Sequence, residues 1–384
     1  MENDKNINIL FIEDSEEDIE LILRLLKKNN FTPIHTSVDS IQGLKNSISK
    51  NNFDIILADY SLPSFNGLEA LEFIKSEKID LPFILISGSV GEEIAVEAMR
   101  LGAVDYIMKH NMTRLLPAIE REIREFKIRL HRQQIQEILK EKNEQLKIAK
   151  IIQSGLFPQS PPKLAGFDIA GNSYPAEETG GDYFDFIQML DNTIGLVVGD
   201  VSGHGLGPSL LMSSTRAYLR AFCLNFIDLG KILENLNHVL FEDISDRKRF
   251  VTLFLASLDP IEKSILFSSA GHTSGYIIDK DGQIKHELKS MNLPLGIQDS
   301  VKYENSSRLL LENGDICLFA TDGLFEARKK SKDRFGFENT VKILHDNRNL
   351  NAKEIVELIY NSSREFTEDS IQEDDITLII VKVF

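Results

Sequence analysis

The stretch Gly199-Asp200-Val201-Ser202-Gly203-His204-Gly205-Leu206-Gly207 follows an apolar run, residues 194–198, that predicts a buried strand. Glycines after a strand allow a sharp turn because they carry no Cβ atom. We therefore expect Asp200 where the strand ends, a position in which a carboxylate can bind a hard cation. A single carboxylate cannot hold a divalent ion, so such a site needs more acidic residues in similar positions.

Three further acidic motifs are predicted at strand ends. They are Gly180-Gly181-Asp182-Tyr183-Phe184-Asp185 before the run 194–198, Thr321-Asp322-Gly323 after the run 315–320, and Glu373-Asp374-Asp375 before the run 376–383. Any one of these aspartates alone is more simply explained as a turn residue. Together, the four clusters predict a hydrolytic site with two metal ions, Mn²⁺ or Mg²⁺, since both ions prefer oxygen ligands.

The overall composition is that of a soluble globular protein with two or three domains. The chain has 384 residues, of which 42% are hydrophobic and 27% are charged. Its net charge of −16 argues against binding to nucleic acid or to an anionic membrane. The two cysteines, Cys223 and Cys317, lie in apolar contexts and are expected to be buried thiols. The polar start and the lack of a membrane-spanning apolar run predict a cytoplasmic protein.

Strand and helix patterns alternate from residue 7 to residue 109, which predicts a doubly wound parallel α/β sheet. Ligands of such sheets bind at the carboxyl ends of the strands. Five polar residues are predicted there: Glu13, Asp14, Asp59, Ser87 and Lys109. The acidic residues suit one Mg²⁺ ion, and Asp59 could accept a phosphoryl group as an acylphosphate. Lys109 and Ser87 could then bind the phosphoryl oxygens.

Residues 7–125 resemble a response-regulator receiver domain. The residues that match the family motif are Asp14, Asp59, Ser87 and Lys109, with Tyr106 at the aromatic switch position. The resemblance implies that a partner histidine kinase phosphorylates Asp59 with Mg²⁺ bound beside it. His110 departs from the family pattern, in which a proline with a cis peptide bond follows the lysine.

A long helical pattern covers residues 113–153. Apolar residues recur at three- and four-residue steps up to Leu130 and resume at Ile135, with Lys142 at a seam position. A single apolar stripe of this length needs a partner, so the pattern favours a parallel dimeric coiled coil and hence a homodimer. The alternative is one solvated connector helix. The sequence Leu156 to Pro162 then ends the helix.

The remaining chain shows many short strands and few helices, which predicts an α+β β-sandwich. Six motifs resemble, in order, those of the bacterial metal-dependent (PPM) serine/threonine phosphatases of the stage II sporulation protein E (SpoIIE) type. They are the four acidic motifs above, Ser269-Ala270-Gly271-His272 and Leu293-Pro294-Leu295-Gly296. The predicted domains are a receiver at 1–125, a coiled-coil linker helix at 126–157 and a phosphatase at 158–384.

The phosphatase resemblance also implies the roles of individual residues. The implied metal ligands are Asp182, Asp200, the backbone carbonyl of Val201, Asp322 and one of Asp374 and Asp375, of which Asp374 is favoured by analogy. His204 is a candidate for orienting the ligands or for a general acid, with a structural role as the alternative. The same alternatives hold for His272, and Asp185 is a further candidate for supporting the ligands. The motifs assign no phosphate-binding arginine, so the metal ions are expected to orient the phosphate.

The order of the domains predicts a signalling enzyme. Phosphorylation of Asp59 is expected to gate the phosphatase through the coiled coil. The resemblance implies that the substrate is a phosphorylated anti-sigma-factor antagonist in partner-switching control of a sigma factor. The alternative function is a catalytically silent, phospho-responsive adaptor, and retention of all four acidic clusters argues against it. A nucleotide cyclase has less support, because the chain has no Walker lysine motif.

Overall fold

The structure, a computed structural model, describes residues 5–88, 91–244, 248–290, 292–368 and 370–384. The chain divides into two compact units, one ending at Lys140 and one starting at Glu141. Within the described ranges, no helix is long and apolar enough to cross a membrane.

The first unit alternates strands and helices. Its elements are β1 (Lys5–Ile12), α1 (Glu16–Lys28), β2 (Phe31–Val38), α2 (Ile41–Lys50), β3 (Ile55–Asp59), α3 (Gly67–Ser76), β4 (Phe83–Ser87), α4 (Glu92–Leu101), β5 (Asp105–Met108), a 3₁₀ turn (Met112–Arg114) and α5 (Leu115–Ser154). The strands are parallel and lie in the order β2-β1-β3-β4-β5. One apolar core packs α1 and α5 against the sheet, and another packs α2, α3 and α4. The predicted parallel α/β sheet is therefore confirmed.

The sequence explains these elements directly. Every residue of β3 and β4 is buried, as expected for central strands covered on both faces. In α1, the buried residues Ile19, Ile22 and Leu26 recur at helical spacing. The Oγ atom of Ser15 accepts the N–H of Asp18 and so satisfies one of the free donors at the helix start.

Helix α5 is continuous for 40 residues. Its first turns belong to the core of the first unit, where Leu115 and Ile119 are fully buried. The apolar residues that follow are 43–55% exposed; these are Ile128, Leu130, Ile135, Ile138 and Leu139. The helical linker is thus present, while its pairing into a dimeric coiled coil stays a prediction.

The second unit contains two five-stranded antiparallel sheets. Its elements are β6 (Phe167–Tyr174), β7 (Tyr183–Gln188), β8 (Ile194–Val201), α6 (Leu206–Cys223), α7 (Leu229–Asp243), β9 (Val251–Asp259), β10 (Ser264–Ala270), β11 (Gly275–Ile278), β12 (Ile284–Leu288), β13 (Leu309–Leu310), β14 (Ile316–Ala320), α8 (Asp322–Glu326), α9 (Gly336–Asp346), α10 (Ala352–Phe366) and β15 (Ile376–Val383). The strand orders are β13-β10-β9-β8-β7 and β12-β11-β14-β15-β6.

These sheets form the two inner layers of a sandwich. The core between them joins Val198 and Phe254 of one sheet to Phe319 and Ile379 of the other. Helices α6 and α7 pack on the outer face of the first sheet, and α9 and α10 pack on the outer face of the second. The predicted β-sandwich covered by helices is confirmed.

The structure differs from the sequence prediction at several places. Strand β8 continues through Val201, so Asp200 lies inside the strand, where it pairs with Thr252, and the turn begins only afterwards. Strand β12 was not predicted, because only Leu288 of its five residues is buried. Helix α9 was missed as well, since it starts at Gly336 without a side-chain cap.

Candidate metal centres

Strand register brings four predicted metal ligands to one end of the sandwich. Strand β7 begins opposite the end of β8, so Asp182, directly before β7, lies opposite Asp200. The last residue of β14, Ala320, pairs with Leu378 near the start of β15, so Asp322 and Asp374 come to the same end of this sheet. Each sheet therefore contributes one pair of carboxylates.

Thr321 connects the two pairs. Its hydroxyl donates a hydrogen bond of 2.9 Å to Oδ2 of Asp182 and accepts one of 3.0 Å from the N–H of Thr377. Asp182 is only 2% exposed, so this hydroxyl compensates part of its lost hydration. Thr321 was not predicted as a site residue, although it directly precedes Asp322 in a motif.

The carboxylates at this end raise one another's pKa. Burial and the charges of Asp322, Asp374 and Asp375 raise the pKa of Asp200 to about 7. Burial and the charges of Asp200 and Asp375 raise the pKa of Asp182 well above its usual range. Partial desolvation by neighbouring protein atoms also raises the pKa values of Asp322 and Asp374, at the open side of the site. An all-oxygen donor set with unbalanced negative charge fits divalent cations.

Asp374 and Asp375 face different partners. Asp375 is buried, and its carboxylate accepts three backbone N–H groups, those of Ala176 at 2.8 Å, Gly181 at 2.7 Å and Asp182 at 3.4 Å. The side chain of Asp374 is exposed and accepts the N–H of Asp375 at 2.9 Å. Asp375 thus fixes the loop before β7, and the exposed carboxylate of Asp374 is the more accessible to an ion.

Three motif glycines allow the backbone segments of the site to approach one another. A Cβ atom on Gly180 would lie 2.4 Å from Oδ2 of Asp375, and one on Gly323 would lie 2.0 Å from its carbonyl oxygen. A Cβ atom on Gly181 would lie 2.7 Å from the carbonyl oxygen of Val201. These distances are shorter than van der Waals contact, so the glycines are required by space. The carbonyl of Val201 accordingly lies against the loop that carries Asp182.

The prediction that Asp185 supports the metal ligands is corrected by the structure. Asp185 is fully buried under α6, where Nε and Nη2 of Arg220 each donate a hydrogen bond of 2.6 Å to its carboxylate. The hydroxyl of Tyr183 donates a third of 2.6 Å. Alternate residues of a strand share a face, so Tyr183 and Asp185 both point to α6. Asp185 therefore anchors this helix to β7.

The two candidate histidines have different surroundings. His204 is 74% exposed, and its Nδ1 lies 2.7 Å from Oε1 of Glu177 in the loop before β7. His272 is buried, and its Nδ1 shares a hydrogen bond of 2.9 Å with the hydroxyl of Thr252, the β9 residue that pairs with Asp200. Burial lowers the pKa of His272 to about 4, so the imidazole is neutral at neutral pH. His272 is therefore linked to the strand of Asp200 through Thr252 of the adjacent strand.

A second acidic group lies at the carboxyl ends of β1 and β3 in the first unit. Glu13, Asp14 and Asp59 each offer one oxygen, and these atoms lie within 4.8 Å of one another. Glu13 and Asp59 are buried, and Asp14 is exposed. In the part of the chain that the structure describes, no other three acidic, histidine or cysteine side chains are this close together. The aspartates of the second unit are thus more widely spaced than these three residues.

Lys109 is bonded to the first-unit carboxylates. Its Nζ atom lies 2.6 Å from Asp18, 2.9 Å from Asp59 and 3.1 Å from Glu13. Burial opposes the ammonium charge, but the three carboxylates more than offset it and raise the pKa of Lys109. Burial raises the pKa of Glu13. Asp18, which lies on α1, was not among the predicted residues of this group.

The other predicted residues of this group lie on neighbouring strands. Ser87 is the buried last residue of β4, and Tyr106 lies half-buried on β5. The described peptide bonds are all trans, including those at His110. After this residue the N–H of Asn111 donates to the carbonyl of Met108 at 2.8 Å and closes the turn.

Fold and acidic sites together define a receiver domain joined to a PP2C-type serine/threonine phosphatase domain. Residues 9–120 match the family model described as response regulator receiver domain. Residues 191–384, just over half of the chain, match the model described as stage II sporulation protein E (SpoIIE). The chain belongs to the SpoIIE family. Phosphatases of this family depend on Mg²⁺ or Mn²⁺, which agrees with the oxygen donor set described above.

Similar proteins support this assignment. Protein IcfG of Synechocystis sp. is 29% identical over 264 residues, which is 62% of this chain and 41% of IcfG. Phosphoserine phosphatase RsbP of Bacillus subtilis is 24% identical over 154 residues, 39% of this chain and 38% of RsbP. The chain thus spans about two fifths of the length of these curated relatives. The SiaA-PP2C domain of Pseudomonas aeruginosa has the same fold, with a TM-score of 0.57, 23% identity and coverage of 64% of this chain and 98% of that domain.

Proposed function

We propose that this protein is a two-component response regulator whose output is a metal-dependent protein serine/threonine phosphatase. The observation that carries the proposal is the convergence of Asp182, Asp200, Asp322 and Asp374 from two sheets, with pKa values raised by burial and, at the buried pair, by mutual repulsion. Perturbed carboxylates of this kind are typical of catalytic and metal-binding sites.

Each sheet has its own part in this site. Asp182, Asp200 and the carbonyl of Val201 would hold a pair of Mn²⁺ or Mg²⁺ ions from one sheet, and Asp322 and Asp374 would hold it from the other. Two such ions lower the pKa of a bound water and stabilise charge on a phosphoryl group. Thr321 and Asp375 keep the ligands in position through the hydrogen bonds described above.

The receiver is proposed to control this output. A histidine kinase would phosphorylate Asp59, with Mg²⁺ held beside it by Glu13 and Asp14. Lys109 already contacts the carboxylate of Asp59 and would neutralise the added phosphoryl charge. Ser87 would donate a hydrogen bond to a phosphoryl oxygen, and Tyr106 would respond as the switch residue.

The linker and the substrate complete the proposal. Exposed apolar residues of the linker helix, such as Ile135 and Leu139, favour pairing of α5 with a second copy of the chain in a coiled coil. Phosphorylation would gate activity through this coiled coil. The relative RsbP is named a phosphoserine phosphatase. That name supports a phosphoserine substrate, and the SpoIIE-type motifs extend the proposal to a phosphorylated anti-sigma-factor antagonist in a partner-switching system.

Hydrolysis of p-nitrophenyl phosphate by the whole chain tests this function. We expect activity that requires Mn²⁺, that changes when beryllofluoride mimics the phosphoryl group, and that is lost in Asp200→Asn. The matched control is Asp59→Asn, which should keep the Mn²⁺-dependent activity and lose the response to beryllofluoride. Absence of activity in every state would refute the enzyme and favour the adaptor, which binds a regulatory partner without catalysis.

A further inference from the structure

Asp18, on α1, makes the shortest of the three ionic contacts of Lys109. Its Oδ2 lies 2.6 Å from Nζ of Lys109, while Oδ2 of Asp59 lies at 2.9 Å and Oε2 of Glu13 at 3.1 Å. A lysine ammonium group has three N–H donors. The three carboxylates therefore take all of them, and Lys109 has no donor left for a further acceptor.

The carboxylate of Asp18 is not required by its own helix. An acidic residue at the third position of a helix often accepts the N–H of the residue that caps the helix. Here that N–H, of Ser15, donates instead to Oε1 of Glu13 at 3.0 Å. Among the residues that the structure describes, the carboxylate of Asp18 has Lys109 as its one hydrogen-bond partner. The role of this side chain therefore lies in its effect on Lys109.

A phosphoryl group on Asp59 would compete with Asp18 for this ammonium group. Charged N–H donors form strong hydrogen bonds to phosphoryl oxygens, so Lys109 would turn a donor toward the new group. The side chain of Asp18 is 35% exposed, against 6% for Glu13, so water replaces Lys109 more easily at Asp18. Asp18 is thus the carboxylate that gives up its bond to Lys109.

The charge of Asp18 also opposes a phosphoryl group on Asp59. Because Oδ2 of Asp18 and Oδ2 of Asp59 both contact Nζ of Lys109, the two oxygens are no further apart than the sum of their distances to this nitrogen. Like charges at so short a range repel each other, and partial burial reduces the screening by water and salt. Both effects of Asp18 therefore favour the unphosphorylated state of Asp59.

We infer that Asp18 is a positioning residue that lowers the affinity of the receiver for a phosphoryl group on Asp59. It acts by holding the ammonium group of Lys109 and by repelling the added negative charge. The inference rests on the proposed function, because it concerns the phosphorylation of Asp59. It gives the receiver a bias toward the unphosphorylated state that originates in α1.

The test compares Asp18→Asn with the parent chain by calorimetric titration of beryllofluoride, a phosphoryl mimic, into the full-length protein at saturating Mg²⁺. Asparagine keeps the shape of the side chain and removes its charge. We expect beryllofluoride to bind about tenfold more tightly, the lower end of what one hydrogen bond to a charged group contributes, because Asp18 is partly exposed. The matched control is Glu17→Gln, which changes an exposed acidic residue on the same turn of α1 and should bind beryllofluoride like the parent. Heats measured with Asp59→Asn are subtracted, so that binding at the phosphatase site is not counted.

Equal or weaker binding of beryllofluoride by Asp18→Asn would overturn the inference. A merely structural role of Asp18 predicts that result, because damage to α1 would weaken the site. Asp18→Glu restores the charge and should return the affinity toward that of the parent. If the parent and Asp18→Asn bind beryllofluoride equally, the inference fails and the proposed phosphorylation of Asp59 stands. If neither binds it, that phosphorylation is refuted and the inference with it.

Discussion

Replacing Asp375 by alanine should destabilise the second unit even without metal, whereas Asp374→Ala should affect only the metal-bound state. The carboxylate of Asp375 accepts backbone N–H groups at 2.7, 2.8 and 3.4 Å, which alanine would leave without an acceptor. Asp374 is exposed among like charges, so its removal relieves repulsion.

The size of the effect follows from these bonds. Hydrogen bonds to charged groups contribute about 1.5–3 kcal/mol each, and partial access of water to the freed N–H groups reduces the sum, so we expect a loss of about 3 kcal/mol. In a domain of this size each kcal/mol shifts the melting temperature by about 2–4 °C, which gives a decrease of roughly 6–12 °C for Asp375→Ala.

The assay is thermal unfolding of the full chain in EDTA and again with excess Mn²⁺, followed by circular dichroism. In EDTA, Asp375→Ala should melt well below the parent and Asp374→Ala should melt with it or slightly above. With Mn²⁺ the parent should gain stability through binding, and Asp374→Ala should lose most of that gain. Glu373→Ala, an exposed neighbour, should match the parent in both conditions. Equal melting of Asp374→Ala and Asp375→Ala in EDTA would refute the division of roles.

Three further changes test other parts of the second unit. The pKa of Asp200 is raised to about 7, so the metal-free chain should lose stability as the pH rises from about 4 to about 7. Asp200→Asn should therefore be more stable than the parent by about 1–2 kcal/mol above this window and equal to it below, measured by urea unfolding in EDTA. Gly323→Ala, with its Cβ atom 2.0 Å from a carbonyl of Asp375, should lower both the melting temperature and the Mn²⁺ affinity, by calorimetry. Arg220→Met leaves the buried Asp185 without its bidentate partner and should reduce the free energy of unfolding, measured in urea, by about 2–3 kcal/mol. An unchanged free energy of unfolding would refute the role of Asp185 as an anchor of α6.

The elements that were predicted correctly are those whose own residues show a clear apolar pattern. Strands β3, β4 and β15 are buried along their entire length and appear as apolar runs. Strand β12 lies at a sheet edge with mostly polar residues, and α9 begins at a glycine, so neither shows a local pattern. Their positions depend on tertiary packing, which a single sequence does not display.

The same division holds for the sites. The aspartates were predicted because each stands in a short motif beside a glycine or a strand. The residues that contact the predicted site residues are distant along the chain: Asp18 lies 91 residues from Lys109, and Thr321 lies 139 residues from Asp182. Asp185 was misjudged because it shares a motif with Asp182, while strand alternation points it to the opposite side.

The strand order of the second sheet has a consequence for biosynthesis. Strand β6 is the first strand of this sheet to leave the ribosome, but it pairs only with β15, the last to be made. A nascent chain therefore carries an unpaired strand through the synthesis of the whole domain, a state prone to aggregation. Synthesis that stops early also omits Asp374 and Asp375. An unfinished chain thus lacks part of the proposed metal centre, and we expect aborted translation to yield products without phosphatase activity.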